Sequence, residues 1–205
     1  FLMMVVFSVF FSNVVVLQNG VPYPIFSYAG LLLWNIFSNS LGNASQSLVI
    51  SSNIIQKVYL PRIILPAASV IVTLVDFVFS FFIFCLILVF FRFTPNFWGL
   101  AVLPFLVLLT FLTSLGLGFL LSAVNVKYRD VRYALPFFLH ILIFVTPVIY
   151  PASSVPQKFQ WALALNPMTG IIETFKAVFL GLGAVNWTIL SLSIFSCLFF
   201  LFFGI

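Results

Sequence analysis

Long apolar runs separated by short polar stretches fill the chain, and the spacing of the breaks predicts helices of membrane-crossing length. Runs at residues 1–17, 25–50, 63–91, 97–124, 134–150 and 186–205 approach or exceed the about 20 apolar residues needed to cross a hydrocarbon core. The breaks at 18–24, with Gly20, Pro22 and Pro24, and at 53–65, 92–96 and 125–133 carry turn-forming or charged residues. The expected fold is all-α, one polytopic membrane domain over residues 1–205 with six transmembrane helices. Both ends lie inside apolar runs, so the first and last spans are expected to be cut.

The spans differ in polarity. The second is apolar through residues 28–37 and then carries Ser38, Asn39, Ser40, Asn43, Ser45, Gln46 and Ser47, so its later half should face protein or water rather than lipid. The third holds Asp76 near its middle, a helix rise of roughly 20 Å from Arg62, too far for direct pairing. A carboxylate at that depth is either functional or hydrogen-bonded to the Ser/Asn face of the second span. In the fourth span Pro104 predicts a kink, and Ser114, Gly118 and Ser122, four apart, predict a close helix–helix seam. The fifth is short, with Pro136 and Pro147 near its ends and His140 as a hydrogen-bonded packing residue.

Residues 151–185 read differently, as amphipathic and interrupted. A helix over 156–165 with Pro156 at its start, a break at Asn166 and Pro167, and a helix over 169–180 ended by Gly181 follow from the capping signals. Each is on the order of 15 to 18 Å long, half a bilayer core. The pair is expected either as a re-entrant hairpin on the outer side, over 156–181, or as two helices lying flat in the interface. Glu173 and Lys176, three apart, would support each other on a wet face.

Composition narrows the class. With 64% hydrophobic and 5% charged residues, and 29 Phe among 205, the chain is too apolar for a soluble domain of this size. Its net charge of +5 is spread over loops and helix ends without forming a nucleic-acid patch. Lys57, Arg62, Lys127, Arg129 and Arg132 fall on one side of the expected topology and Arg92, Lys158 and Lys176 on the other. That bias puts the 53–65 break and the 125–133 cluster in the cytoplasm. Trp98, Tyr150, Trp161 and Trp187 suit an outer interfacial belt, and Phe37, Phe159 and Trp161 are placed for stacking on sugar rings. Cys85 and Cys197 sit in apolar spans as packing residues.

No G-x-x-x-x-G-K-[ST] loop occurs, so the chain does not bind ATP through a Walker loop. Nor does it show clustered acids, a metal set or a nucleophile with its base, and it reads as a non-enzyme with no cofactor of its own. Energy then comes from a partner or from an ion gradient. A gradient-driven carrier would be expected to show more midplane ionisable groups than Asp76.

The break N-I-I-Q-K-V-Y-L-P-R-I-I-L at 53–65 holds the first charged residues, Lys57 and Arg62. Ile54, Ile55 and Val58 at one-turn spacing beside Lys57, closed by Pro61, predict a short amphipathic docking helix, although an ordinary loop anchored on lipid headgroups would also use such residues. The run K-V-Y-L-P-R-I-I-L-P followed by V-D-F, the run N-V-K-Y-R-D-V, the run P-V-I-Y-P and the run L-N-P-M-T-G-I-I-E-T-F-K occur in that order. Together they resemble the permease subunits of bacterial polysaccharide ABC exporters of the O-antigen and teichoic acid type, within the ABC-2 family.

The resemblance implies a multi-pass protein of the bacterial cytoplasmic (inner) membrane that exports a polysaccharide linked to an undecaprenyl diphosphate-type lipid. It implies that Asn53, Ile54, Ile55, Lys57, Val58, Tyr59, Pro61 and Arg62 dock on a separate ATP-binding subunit, which carries ATP and Mg. Six spans enclose little, so a homodimer with two ATPase subunits is expected. Lys127, Arg129, Asp130 and Arg132 would form a cytoplasmic entrance that attracts the carrier diphosphate, or serve only as positive-inside anchors. Pro156, Phe159, Trp161, Asn166, Pro167 and Glu173 would form an external gate, and Asp76, Asn39 and Asn43 the intramembrane polar set. An exporter of a smaller lipid or drug with the same architecture is the alternative within transport.

Overall fold

The computed structural model describes residues 1–12, 20–57 and 61–204, leaving aside the side chains of Ile54, Gln157, Phe159, Trp161 and Ala162. Its elements are α1 (Leu2–Phe11), α2 (Tyr23–Ile50), α3 (Ser52–Ile55), α4 (Ile64–Phe90), α5 (Phe97–Lys127), α6 (Val131–Val145), a 3-10 turn (Ala152–Ser154), α7 (Gln157–Ala164), α8 (Pro167–Leu180) and α9 (Trp187–Gly204). No strand occurs among the described residues. Three helices, α4, α5 and α9, are long and apolar enough to cross a membrane, while α1 and α6 are apolar but shorter. The 28 residues of α2 have the length, but the amides and hydroxyls of its later half interrupt the apolar run.

Local chemistry sets the helix ends. Pro24 sits in the first turn of α2, where its missing N–H costs nothing. The side chain of Asn96 caps α5 by accepting from the Trp98 N–H at 3.2 Å, and Asn166 caps α8 by accepting from the Met168 N–H at 3.0 Å. Gly181 ends α8 in the left-handed region at φ 67°. α6 stops at Val145, five residues short of the expected end. Thr146 turns extended at ψ 140° ahead of Pro147, the conformation that a following proline imposes.

α2 is the central post. Its first half, from Tyr23 to Trp34, is buried at every position except the half-buried Pro24, enclosed by α4, α5 and α8. An aromatic cluster ties these elements near the outer end: Tyr28 stacks on Phe84 of α4 at 5.6 Å, Phe84 meets Phe179 of α8 at 5.5 Å, and Phe179 meets Phe175 at 5.0 Å. Further down, Ser40 and Thr73 share a hydrogen bond of 2.6 Å between α2 and α4. Asn125 of α5 donates to the Ser45 carbonyl at 2.8 Å. The outward faces of α4 and α9, with Val75, Phe79, Phe82, Phe195 and Phe202, remain exposed. On water-soluble proteins such a surface would be an interaction patch, and here it is the lipid contact.

The small-residue seam on α5 acts as expected. Ser114, Gly118 and Ser122 are buried, and a Cβ on Gly118 would come within 2.7 Å of the Ala44 methyl on α2. Nearby on α5, a Cβ on Gly116 would meet the Leu201 nitrogen and the Phe200 carbonyl carbon of α9, both at 2.6 Å. Backbone atoms cannot swing aside as a side-chain tip can. Gly116→Leu should therefore force α5 and α9 apart and cost about 1–3 kcal/mol, lowering the melting temperature in detergent, whereas Gly42→Ala, whose Cβ meets nothing within 4 Å, should leave it unchanged.

Candidate functional site

Three places hold the polar chemistry of this apolar chain. At one end of the bundle α3 follows directly on α2, and Arg62 lies in a cleft with Pro66, Phe119, Ser122 and Gly204. The cluster Lys127, Arg129, Asp130 and Arg132 leaves α5 and enters α6, exposed throughout. Lys127 and Arg132 lie over the rings of Tyr128 and Tyr133 at 5.3 and 6.0 Å. The two basic segments thus share one end of the bundle.

The helix at the first break is a single turn, Ser52–Ile55, rather than the longer amphipathic helix expected over 53–62. Asn53, Lys57, Pro61 and Arg62 are exposed and Ile55 is half-buried. Val58 and Tyr59 lie outside the described residues, as does the side chain of Ile54. Ser51 and Ser52 hold the turn, their carbonyls accepting from the Ile55 and Gln56 N–H groups at 3.1 and 3.2 Å.

At the opposite end the structure corrects the reading of Glu173 and Lys176. Lys176 is 4% exposed, not on a wet face, and no ion pair joins it to Glu173 among the described residues. Its ammonium donates to the Pro147 carbonyl at 2.9 Å and the Val148 carbonyl at 2.7 Å, and sits 3.7 Å from the centroid of the Phe26 ring. These are the carbonyls freed where α6 ends. A Cβ on Gly30 of α2 would come within 2.8 Å of the Val148 oxygen and 2.9 Å of Lys176 Cε, so only glycine fits beneath the clamp. Asn166 donates to the Thr146 hydroxyl at 2.7 Å and Tyr23 to the Ile149 carbonyl at 2.9 Å. Residues 146–149 are thereby pinned to α2 and α8.

Glu173 is half-buried beside this clamp, on a cavity of about 310 Å³ that Gln160, Thr174 and Asn186 also line. Burial pushes its carboxyl above the usual range, while a hydrogen bond from the Ala152 N–H and the Lys176 charge pull it back. Burial likewise holds the Lys176 ammonium well below the usual lysine range, against the pull of Glu173. Of the other residues expected at an external gate, Pro156 is exposed, Pro167 is buried and Asn166 is the α8 cap. The side chains of Phe159 and Trp161 lie outside the described residues. All of α8 except Glu173, Ala177 and Val178 is buried, which excludes a helix lying flat on the surface.

Lys176 was the residue that pattern reading misplaced, and its register held the signal. It falls four residues after Ile172 and eight after Met168, on the stripe that buries α8. With Lys176 buried, Arg92 and Lys158 are the exposed basic residues that remain at the outer end.

The third place is the flank of α2. Its polar half divides into two faces: Ser40, Ser45 and Ser47 are buried toward other helices, while Asn35, Asn39 and Asn43 are exposed. Asn35 and Asn39 share a crevice with Asp76, Thr73 and Ser80, about 20 Å³ in volume, room for about one water. Asp76 has no hydrogen-bond partner there among the described residues. The exposed amides also line a cavity of about 360 Å³ facing α6 and His140. His140 Nδ1 lies 2.6 Å from the Pro136 carbonyl. Since a carbonyl only accepts, Nδ1 carries the proton and Nε2 is free.

Among known proteins, the pattern of the ABC-2 type transporter family matches residues 1–180. An O-antigen export system permease protein RfbA of Myxococcus xanthus is 32% identical over 178 residues, which cover 86% of this chain and 68% of that protein. Two proteins of the same description from Klebsiella pneumoniae are 24% identical over 191 residues and 23% identical over 184. The first match covers 91% of this chain and 72% of the relative, the second 89% and 71%.

The clamp predicts a local effect. Lys176→Met leaves the Pro147 and Val148 carbonyls without donors, at about 1–3 kcal/mol for each buried unsatisfied group. Hydrogen exchange of the backbone amides at residues 146–150 should quicken at least tenfold in that variant and in Gly30→Ala. Exchange in the middle of α5 should not change. Equal protection at 146–150 in both variants would contradict the anchoring role.

Proposed function

The chain belongs to the ABC-2 type transporter family, and on that premise we propose that it is the membrane subunit of an ATP-driven exporter of a lipid-linked surface polysaccharide. A multi-pass permease of the bacterial inner membrane has no means of its own to hydrolyse ATP, so the energy comes from a separate ATP-binding subunit that holds ATP and Mg. The cargo reading rests on one observation, the 32% identity to a protein described as an O-antigen export permease. Relatives described in the same words from a second organism support it.

In this reading six segments cross the bilayer, α1, α2, α4, α5, α6 and α9, and two copies of the chain enclose the path. The α7–α8 pair dips in from the outside and returns. Closure of the two ATPase subunits pushes on residues 53–62, with Ile55 as the half-buried apolar contact beside exposed Lys57 and Arg62. The push passes into α2 and α4, which flank the segment directly. Lys127, Arg129 and Arg132 receive the diphosphate of the lipid carrier, for which clustered exposed cations are the fitting chemistry.

Purification of the full-length protein in mild detergent from its host should bring down a stoichiometric partner with a Walker loop. Ile55→Asp combined with Lys57→Glu should release it while the permease stays folded. Recovery of the permease without any ATPase, under conditions that keep two copies together, would instead favour a gradient-driven carrier. Arg129→Ala and Arg132→Ala should each reduce surface polysaccharide several-fold at unchanged membrane abundance, and an unchanged surface polymer would remove the entrance role.

A further inference from the structure

Four side-chain amides stand on one flank of α2 with nothing to bond to. Asn35, Asn39 and Asn43 follow at four-residue spacing and Gln46 three residues later, so the row rises about 6 Å per step. No hydrogen bond reaches any of their side-chain atoms among the described residues. The remainder of α2 behaves otherwise, since Ser40 bonds Thr73 and the Ser45 and Ser47 hydroxyls bond their own helix. Amides left open in an apolar bundle are costly unless water or a polar ligand meets them. The cavity they border, about 360 Å³, is large enough for a small ligand or a segment of a longer one.

Its walls define what fits. Across from the amides stand Leu135, Leu139 and His140 of α6, with Nε2 of His140 free, and Trp34 contributes an indole. No Asp, Glu, Lys or Arg lines it among the described residues. A diphosphate would find no cation there, and a metal ion no anionic ligand. Planar amides combined with an aromatic ring are suited to neutral sugars, whose hydroxyls both donate and accept and whose C–H faces rest on indole. The rise from one amide to the next is close to the length of one sugar unit in an extended chain. Each step of the chain would therefore find an equivalent set of partners one turn further along.

We infer that the cavity between α2 and α6 is a binding site for the neutral sugar units of a glycan, held by Asn35, Asn39, Asn43 and Gln46 against Trp34. The site rests on the proposed glycan cargo and adds where the sugars are held, apart from the basic cluster that suits the diphosphate. Weak, repeated amide contacts let a chain move on without a deep trap, as conduction through any multi-site path requires.

Gly42 lies on the same cavity wall, and a Cβ there meets nothing within 4 Å, so Gly42→Cys is a quiet reporter. The full-length permease with its ATPase subunit, in lipid nanodiscs and with Cys85 and Cys197 replaced by alanine, would be labelled with a water-soluble thiol reagent. The probes are glycan released from the host surface by mild acid, which removes the diphosphate, and inorganic pyrophosphate. Glycan should slow labelling of the Gly42→Cys thiol at least fivefold and pyrophosphate should not. The protection should vanish in Asn39→Leu/Asn43→Leu and persist in Asn39→Gln/Asn43→Gln.

Protection by pyrophosphate alone would make the cavity a headgroup site, and protection by neither would make it hydrated space; either result overturns the proposal. Loss of protection in the glutamine pair as well as the leucine pair would also overturn the amide assignment. Deletion of the gene in the host separates the two levels. If surface glycan persists without the permease, the transport reading fails. If the glycan is lost but never protects the introduced thiol, only the sugar site fails.

Discussion

Carbonyl groups released at the end of a helix inside an apolar bundle need donors, and this requirement organises the outer half of the molecule. α6 stops at Val145, and the non-helical residues after it run between α2 and α8. In lipid such a backbone is tolerated only where protein satisfies it. Lys176 supplies two hydrogen bonds, Tyr23 a third, and Asn166 ties the Thr146 side chain. A buried lysine is expensive to desolvate, and carbonyl dipoles with an aromatic face are the compensation this fold provides. Gly30 follows from the same need, because the clamp occupies the space a larger side chain would fill.

How much of this could be read beforehand depends on the range of the interaction. Helices came through because hydrophobic runs are local, and the break at Asn166 and Pro167 came through because capping is local. The end of α6 did not: an apolar run continues through Ile149, and only the Thr146–Pro147 step marks the stop. Lys176 was assigned to a surface because its partners lie 28 and 29 residues away and are backbone atoms, which no residue pattern displays. The polarity of α2 was legible, but not its division. Ser40 and Asn39 are neighbours in sequence, yet one is buried against Thr73 and the other open to a cavity.

That division has a physical consequence for stiffness. Hydroxyls on α2 are satisfied within its own turns or by the adjacent helix, so the α2–α4–α5 unit is closed and close-packed, with Ser40 to Thr73 and Asn125 to Ser45 as cross-ties. Amides on the opposite flank are satisfied by nothing among the described residues. Moving a neighbour against that flank therefore breaks no hydrogen bonds, whereas moving one against the hydroxyl flank breaks several.

α6 is the neighbour in question, and its contacts are uneven along its length. Leu135, Leu139 and Ile143 are its buried residues, one stripe on an otherwise exposed helix, while its outer end is fixed by the clamp. Its inner end begins at Val131, beside the exposed basic cluster. A helix pinned at one end, thinly packed along one stripe and faced by a cavity is stiff outside and yielding inside. Displacement at the inner end then pivots about residues 146–149, changing the width of the α2–α6 cavity with little effect on the aromatic cluster of Tyr28, Phe84 and Phe179. The cost of that motion is set by three buried side chains and not by the hydrogen-bonded core.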